Sequence, residues 1–157
     1  MNILSSQYLL IKSSREVVLK YFSEIKSADF TRKLESFNNS SMQSLYAHSL
    51  NTYIHWLKRF AKKEEYPYFK TEELKNAKDF RAAFETINSI VEEFISEHSD
   101  PYDKITGYIA WQKKDFTYTA LDLFTHVTTH EFHHKGQLMT MSRLLGYSPP
   151  DADAIRY

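Results

Sequence analysis

Apolar positions in this chain recur at helical spacing in four long stretches. The first runs from about Ile3 to Ile25, where Leu4, Tyr8, Ile11, Val18, Phe22 and Ile25 share a face. The second covers roughly Met42 to Lys62 and has a broad apolar arc from Leu45 and Tyr46 to Phe60, with Ser40 and Ser41 as N-cap residues before it. The third spans about Asn76 to His98, carried by Phe80, Ala83, Ile87, Ile90 and Phe94, and Asp100-Pro101 ends it. The fourth is Thr119 to Gly146, with both ends marked: Thr119 can cap its start, Asp122 suits the dipole of its first turn, and Gly146 stops it ahead of Pro149 and Pro150.

Between these stretches the pattern changes. Residues 27–40 are polar and irregular. Before the last helix a short hairpin is predicted, with Ile105, Tyr108 and Trp111 on one arm, a polar turn at Gln112–Asp115, and Phe116 to Thr119 on the other. Four long amphipathic helices without a parallel-sheet pattern predict an all-α fold: a four-helix bundle with a hairpin-like segment between its third and fourth helices. With 157 residues, one domain over 1–157 is expected. Only three glycines and four prolines occur, which leaves little punctuation for a many-stranded fold.

Composition narrows the function. Lys plus Arg and Asp plus Glu stand at 20 each, without the basic excess of a nucleic-acid binder. The local run Lys58, Arg59, Lys62 and Lys63 is followed at once by Glu64 and Glu65, as in a solvated helix end. No apolar run approaches the ~20 residues that cross a bilayer, and the N-terminus has no basic-then-apolar leader, so a cytoplasmic protein is expected. There is no cysteine, so any metal must be held by His, Asp or Glu.

Histidine is where the chemistry concentrates. Four of the seven, His126, His130, His133 and His134, lie in the last helix. At ~100° per residue His130 and His134 are about 40° apart, on the same face as Leu123, Val127, Leu138 and Met141. Two imidazoles one turn apart on an apolar face need polar partners, and a shared cation satisfies both. His126 and His133 lie toward the edge of the stripe. The segment His130-Glu131-Phe132-His133-His134 also satisfies H-E-x-x-H, in which two histidines bind zinc and the Glu is a general base. The longer metzincin form is absent, because Gln137 and Thr140 stand where it needs Gly and His. A zinc protease is therefore a remote alternative. A bundle commonly takes its third ligand from another helix. His48, His55 and His98 are the histidines available; His98 reads as a helix-end residue, and spacing does not separate His48 from His55.

A resemblance bears on that choice. His130-Glu131-Phe132-His133-His134-Lys135-Gly136-Gln137 resembles the H-x-x-H-H-[RK]-G-Q segment of the bacterial DinB family, relatives of the bacillithiol-transferase-like YfiT proteins. Leu145-Gly146, Pro149-Pro150 and Asp153 are similar to that family's closing L-G…P-P…D, and Leu45 to His48 followed by Trp56 is similar to its L-x-x-H…W. Lys135 replaces the commoner Arg, and the usual Pro/Gly/Trp lead-in to the second helix is absent before Ser41. The resemblance implies the DinB/YfiT bundle, commonly a homodimer, and a triad of His48, His130 and His134 around a divalent metal, zinc or nickel. It also favours transfer of a low-molecular-weight thiol to a small-molecule electrophile.

Three neutral imidazoles leave a position open on the ion for a thiol or a water. The expected activity is therefore that of a metal-dependent small-molecule enzyme, thiol transferase or hydrolase. The alternative is a non-catalytic, metal-stabilised bundle or dimerisation module. Gln137 and Glu131 are the candidates for orienting the imidazoles.

Overall fold

The computed structural model describes residues 3–156 and is mostly helical, with one small sheet. The elements are α1 (Ile3–Phe22), a short α2 (Ser27–Phe30), α3 (Met42–Tyr53), α4 (Ala77–Glu97), β1 (Lys104–Ile109), β2 (Lys114–Thr119) and α5 (Ala120–Leu144). Helix α3 packs against α4 and α5, and α1 packs against the same two. None of the described helices is long and apolar enough to cross a membrane.

Local chemistry explains the helix bounds. The Thr119 hydroxyl accepts from the Asp122 N–H at 3.0 Å and the Asp122 carboxylate accepts from the Thr119 N–H at 2.8 Å, a capping box that starts α5. Gly146, at φ 90°, turns the chain away from the other end. Ser41 and Ser44 form the same reciprocal pair at the start of α3, and the Asn76 side chain caps α4. The hydrogen-bond pattern changes beyond Tyr53. Residues Ile54–Phe60 continue the axis of α3 as a π-helix, closed by the Ala61 N–H on the Trp56 carbonyl at 3.1 Å.

The structure departs from the expected pattern in two further places. Within 27–40 it forms α2 and a 3₁₀ turn at Glu35–Phe37, and Phe30 is buried against Phe22 and Phe80. In the hairpin the turn lies at 110–113 rather than Gln112–Asp115, and the inward residues are Ile105, Gly107 and Ile109, with Tyr108 outside. The reason is Gly107: a Cβ there would meet the Phe60 carbonyl oxygen at 2.6 Å, so only glycine lets β1 lie this close to the π-helical segment.

The core contains an aromatic cluster in which Tyr46 of α3 meets Phe22, Phe80 and Phe84 at ring separations of 4.9–5.3 Å. Beside it lies a buried polar layer. Arg15 of α1 donates to both oxygens of Glu131 on α5, each at 2.8 Å, and to Asn88 of α4 at 2.7 Å. The Tyr53 hydroxyl of α3 donates to the same carboxylate at 2.6 Å. Burial alone would weaken the Arg15 charge, yet Glu131 beside it pushes its pKa well above the ordinary value. Tyr8, also in this layer, is pushed up to about 12, chiefly by burial. The basic run at the end of the second helical stretch is not a fully solvated helix end: Lys58 is buried, and it and Lys62 each donate to Glu93 of α4 at 2.6 Å.

Removing one member of a buried ion pair leaves the other uncompensated. Glu131→Ala should therefore lower unfolding free energy by about 3–5 kcal/mol, read from urea midpoints. The double variant Arg15→Met with Glu131→Leu should recover most of that loss. If the single variant melts like the parent protein, the polar layer does not carry this weight.

Candidate metal centre

α3 and α5 run beside one another, and each delivers part of a histidine cluster from its middle. His48 comes from α3, and His130 and His134 from adjacent turns of α5. Ring centroids are 5.0 Å apart for His48 with each of the other two, and 4.5 Å between His130 and His134. One ring nitrogen from each lies within 4.8 Å of the other two, and this is the one such group among the described residues. The His130 and His134 Nε2 atoms are 3.0 Å apart. Ligand bonds of ~2.0–2.1 Å in a tetrahedral site require nitrogens about 3.4 Å apart. Small side-chain adjustments therefore suit the three imidazoles to a divalent ion.

Burial grades across the cluster: His134 is buried, His130 intermediate and His48 exposed. The sequence pattern leaves His48 off the apolar stripe of its helix, and it does lie at the surface. It meets the other two because α3 packs along α5 and they rise to the edge of that interface. Burial pushes the pKa of all three below the ordinary histidine value. His130 goes furthest, to about 4, because the neighbouring imidazoles add to the effect of burial. All three are thus neutral at pH 7, the state in which an imidazole can donate a lone pair.

Gln137 is involved, with a different partner from the one helical angle favours. It lies ~20° from His130 around the helix, yet its Oε1 accepts from Nδ1 of His134 at 2.6 Å. A proton held on Nδ1 leaves the His134 Nε2 lone pair facing His130, the orientation a ligand needs. Glu131 does not orient an imidazole. Its two oxygens are taken by Arg15 and Tyr53. For the same reason it is not placed as the general base of an H-E-x-x-H protease.

The other histidines separate clearly. His133 is exposed, and His98 closes the C-terminus of α4 with Asp103 3.7 Å away. His55, at the start of the π-helical segment, is not part of the triad. Its Nδ1 lies 2.9 Å from the Tyr68 hydroxyl, and His126 packs edge-on to Trp56 at 4.9 Å. Lys135, the basic residue of the motif, is buried. It donates to Ser14 on α1 and to the Ala152 carbonyl, which fastens the C-terminal segment onto the helices. Sequence reading missed that anchoring role, as it missed Arg15. A lone basic residue in an amphipathic helix carries no signal of burial.

Comparison with known proteins comes down on the same side as these motifs. No curated protein matches the chain. The family model described as the DinB family matches residues 2–157, nearly its whole length, including both histidine-bearing helices. The chain belongs to the DinB family.

Proposed function

We propose that this protein is a metal-dependent enzyme acting on a small molecule, of the thiol transferase or hydrolase type. In this reading its helices form a single-domain four-helix bundle of the DinB kind, and His48, His130 and His134 hold zinc or nickel. The observation that carries the reading is the convergence of three neutral imidazoles from two helices, one of them already oriented by Gln137. A divalent ion with an open position supplies Lewis acidity, which turns a thiol or water into an anion at neutral pH. The chain's own part is to keep its three nitrogens deprotonated and to hold Nδ1 of His134 through Gln137. In a transfer step a low-molecular-weight thiol would give up its proton to solvent, and its sulfur would form a bond to an electrophilic carbon as the leaving group departs with its electron pair. A homodimer belongs to the same proposal: Ile3, Leu9 and Leu10 of α1 are exposed apolar residues that a partner would cover. Light scattering on the purified protein checks it, and a monomer at all concentrations would remove it.

Elemental mass spectrometry of protein purified without chelators should find about one divalent ion per chain. His48→Ala, His130→Ala and His134→Ala should each lose the ion while keeping the parent far-UV circular dichroism. Full occupancy in these variants would remove the triad. Replacing Gln137 by Ala should weaken metal affinity about 10–100-fold without abolishing it. In a panel of low-molecular-weight thiols tested against a chromogenic aryl halide, turnover should appear only with the metal-loaded protein. No turnover, with a melting temperature that falls on metal removal, would favour a structural ion.

The histidine pKa values also predict a pH dependence for the metal-free protein. His130 titrates at about 4 when folded and near ~6.5 when unfolded. Between those values the unfolded chain binds more protons, so stability should rise with pH from about 4 to ~6.5 and level off above. His48 and His134, lowered in the same direction, add to the slope. Urea midpoints between pH 4.5 and 7.5 check this, and His130→Gln should flatten the profile.

A further inference from the structure

Beside the triad lies a cleft of about 410 Å³ bordered by His48, His55, Trp56, Trp111, His126 and His130. That size lies within the ~300–1,000 Å³ of small-molecule sites. Both tryptophans of the chain line it. Trp111, on the hairpin turn, is 63% exposed, yet its ring lies 5.2 Å from that of His55 at an interplanar angle of 36°. Trp56 meets His55 at 5.2 Å and His126 at 4.9 Å. No lysine, arginine or carboxylate lines the cleft.

Its polar groups are mostly engaged already. Asn51 donates to the Phe69 carbonyl and accepts from the Phe69 N–H, and the Thr52 hydroxyl donates to the His48 carbonyl. The Asn51 bonds hold the segment that places Tyr68 on Nδ1 of His55. Nε2 of His55 is different. It is covered, and no protein group bonds it. A shielded ring nitrogen without a partner costs free energy until a polar atom reaches it. Flat indole and imidazole faces, no lining charge and one unsatisfied nitrogen describe the complement of a particular ligand class.

We propose that this cleft binds the flat, conjugated body of an uncharged small molecule, stacked on the exposed Trp111 and meeting Trp56 edge-on, and that the side chains covering His55 Nε2 shift on binding so that one polar atom of the ligand hydrogen-bonds to it. The inference deepens the metal-enzyme reading and rests on it for the reactive end of the ligand, which would reach the triad through His48 and His130. The aromatic recognition itself needs no ion. His55 acts as a positioning residue, held by Tyr68.

The two tryptophans give two indole N–H signals in a ¹H–¹⁵N spectrum, and both report on this cleft. Benzohydroxamate and acetohydroxamate are suitable probes, because they share a metal-binding head and differ in the aromatic ring. In metal-free protein, benzohydroxamate should shift both indole signals saturably, whereas acetohydroxamate should leave them in place. In zinc-loaded protein, benzohydroxamate should bind about tenfold tighter than acetohydroxamate. Trp111→Ala should erase most of that ratio, read on the Trp56 signal. His55→Phe, which keeps the ring and removes the nitrogens, should weaken benzohydroxamate about fivefold in both forms. The cleft assignment is overturned if both hydroxamates move the indoles alike, or if neither does in metal-free protein. It is also overturned if the two bind zinc-loaded protein equally, a result that leaves the triad intact. A metal-free response with no added affinity from zinc keeps the cleft and removes the triad.

Discussion

The buried Arg15–Glu131 pair is the contact on which the rest of the arrangement depends. One guanidinium and one carboxylate, with Tyr53 and Asn88, tie together α1, α3, α4 and α5. An amphipathic helix can roll by tens of degrees on an apolar surface at modest cost, because hydrophobic contact is not directional. A bidentate charged pair is directional, and its failure leaves a charge in the core. The pair therefore sets the roll of α5. One turn on, Lys135 repeats the constraint by reaching Ser14, the neighbour of Arg15, and the Ala152 carbonyl.

That roll is what presents the histidines. Glu131 and Lys135 occupy one side of α5 and face α1. His130 and His134, each one residue earlier, are carried ~100° round the helix toward α3. The motif His130-Glu131-x-x-His134-Lys135 thus contains two interleaved pairs at a spacing of four, one that locks the helix and one that meets His48. Read as a protease signature, the Glu of the motif would work beside the histidines. Its real partners are Arg15 and Tyr53, and the same spacing serves a different purpose.

Much of this was legible in the sequence, and the gaps have physical causes. The long helices and the capping of α5 follow from apolar period and cap residues, which act over a few positions of chain. The pairing of His130 with His134 follows in the same way. The third histidine did not follow from spacing, because His48 lies off its apolar stripe and its partners belong to a helix some eighty residues away in sequence. Motif resemblance chose it over His55, and the cluster brings the same three together. What period cannot register is a buried charge. Arg15, Glu131 and Lys135 look like the solvated side of their helices until their partners are known. Phe30 was passed over because four residues of helix are too few to show a repeat.

The change of winding after Tyr53 was equally unreadable, since i→i+5 hydrogen bonding leaves no residue pattern of its own, and it bears most directly on the proposed ligand cleft. An α-helix continued through Ile54–Phe60 would present His55 and Trp56 at other angles. The wider turns place both beside His126 and against the cleft. A π-helical turn is less favourable than an α-helical one and persists only where its surroundings compensate. Two contacts do so here: the Gly107 backbone lies against the Phe60 carbonyl, and Lys58 and Lys62 grip Glu93. This segment carries the one shielded ring nitrogen bordering the cleft that no protein group bonds, and it lies beside a cluster of neutral imidazoles. Held by those contacts, the π-helical winding sets His55 and Trp56 against the cleft, where the proposed ligand would meet them.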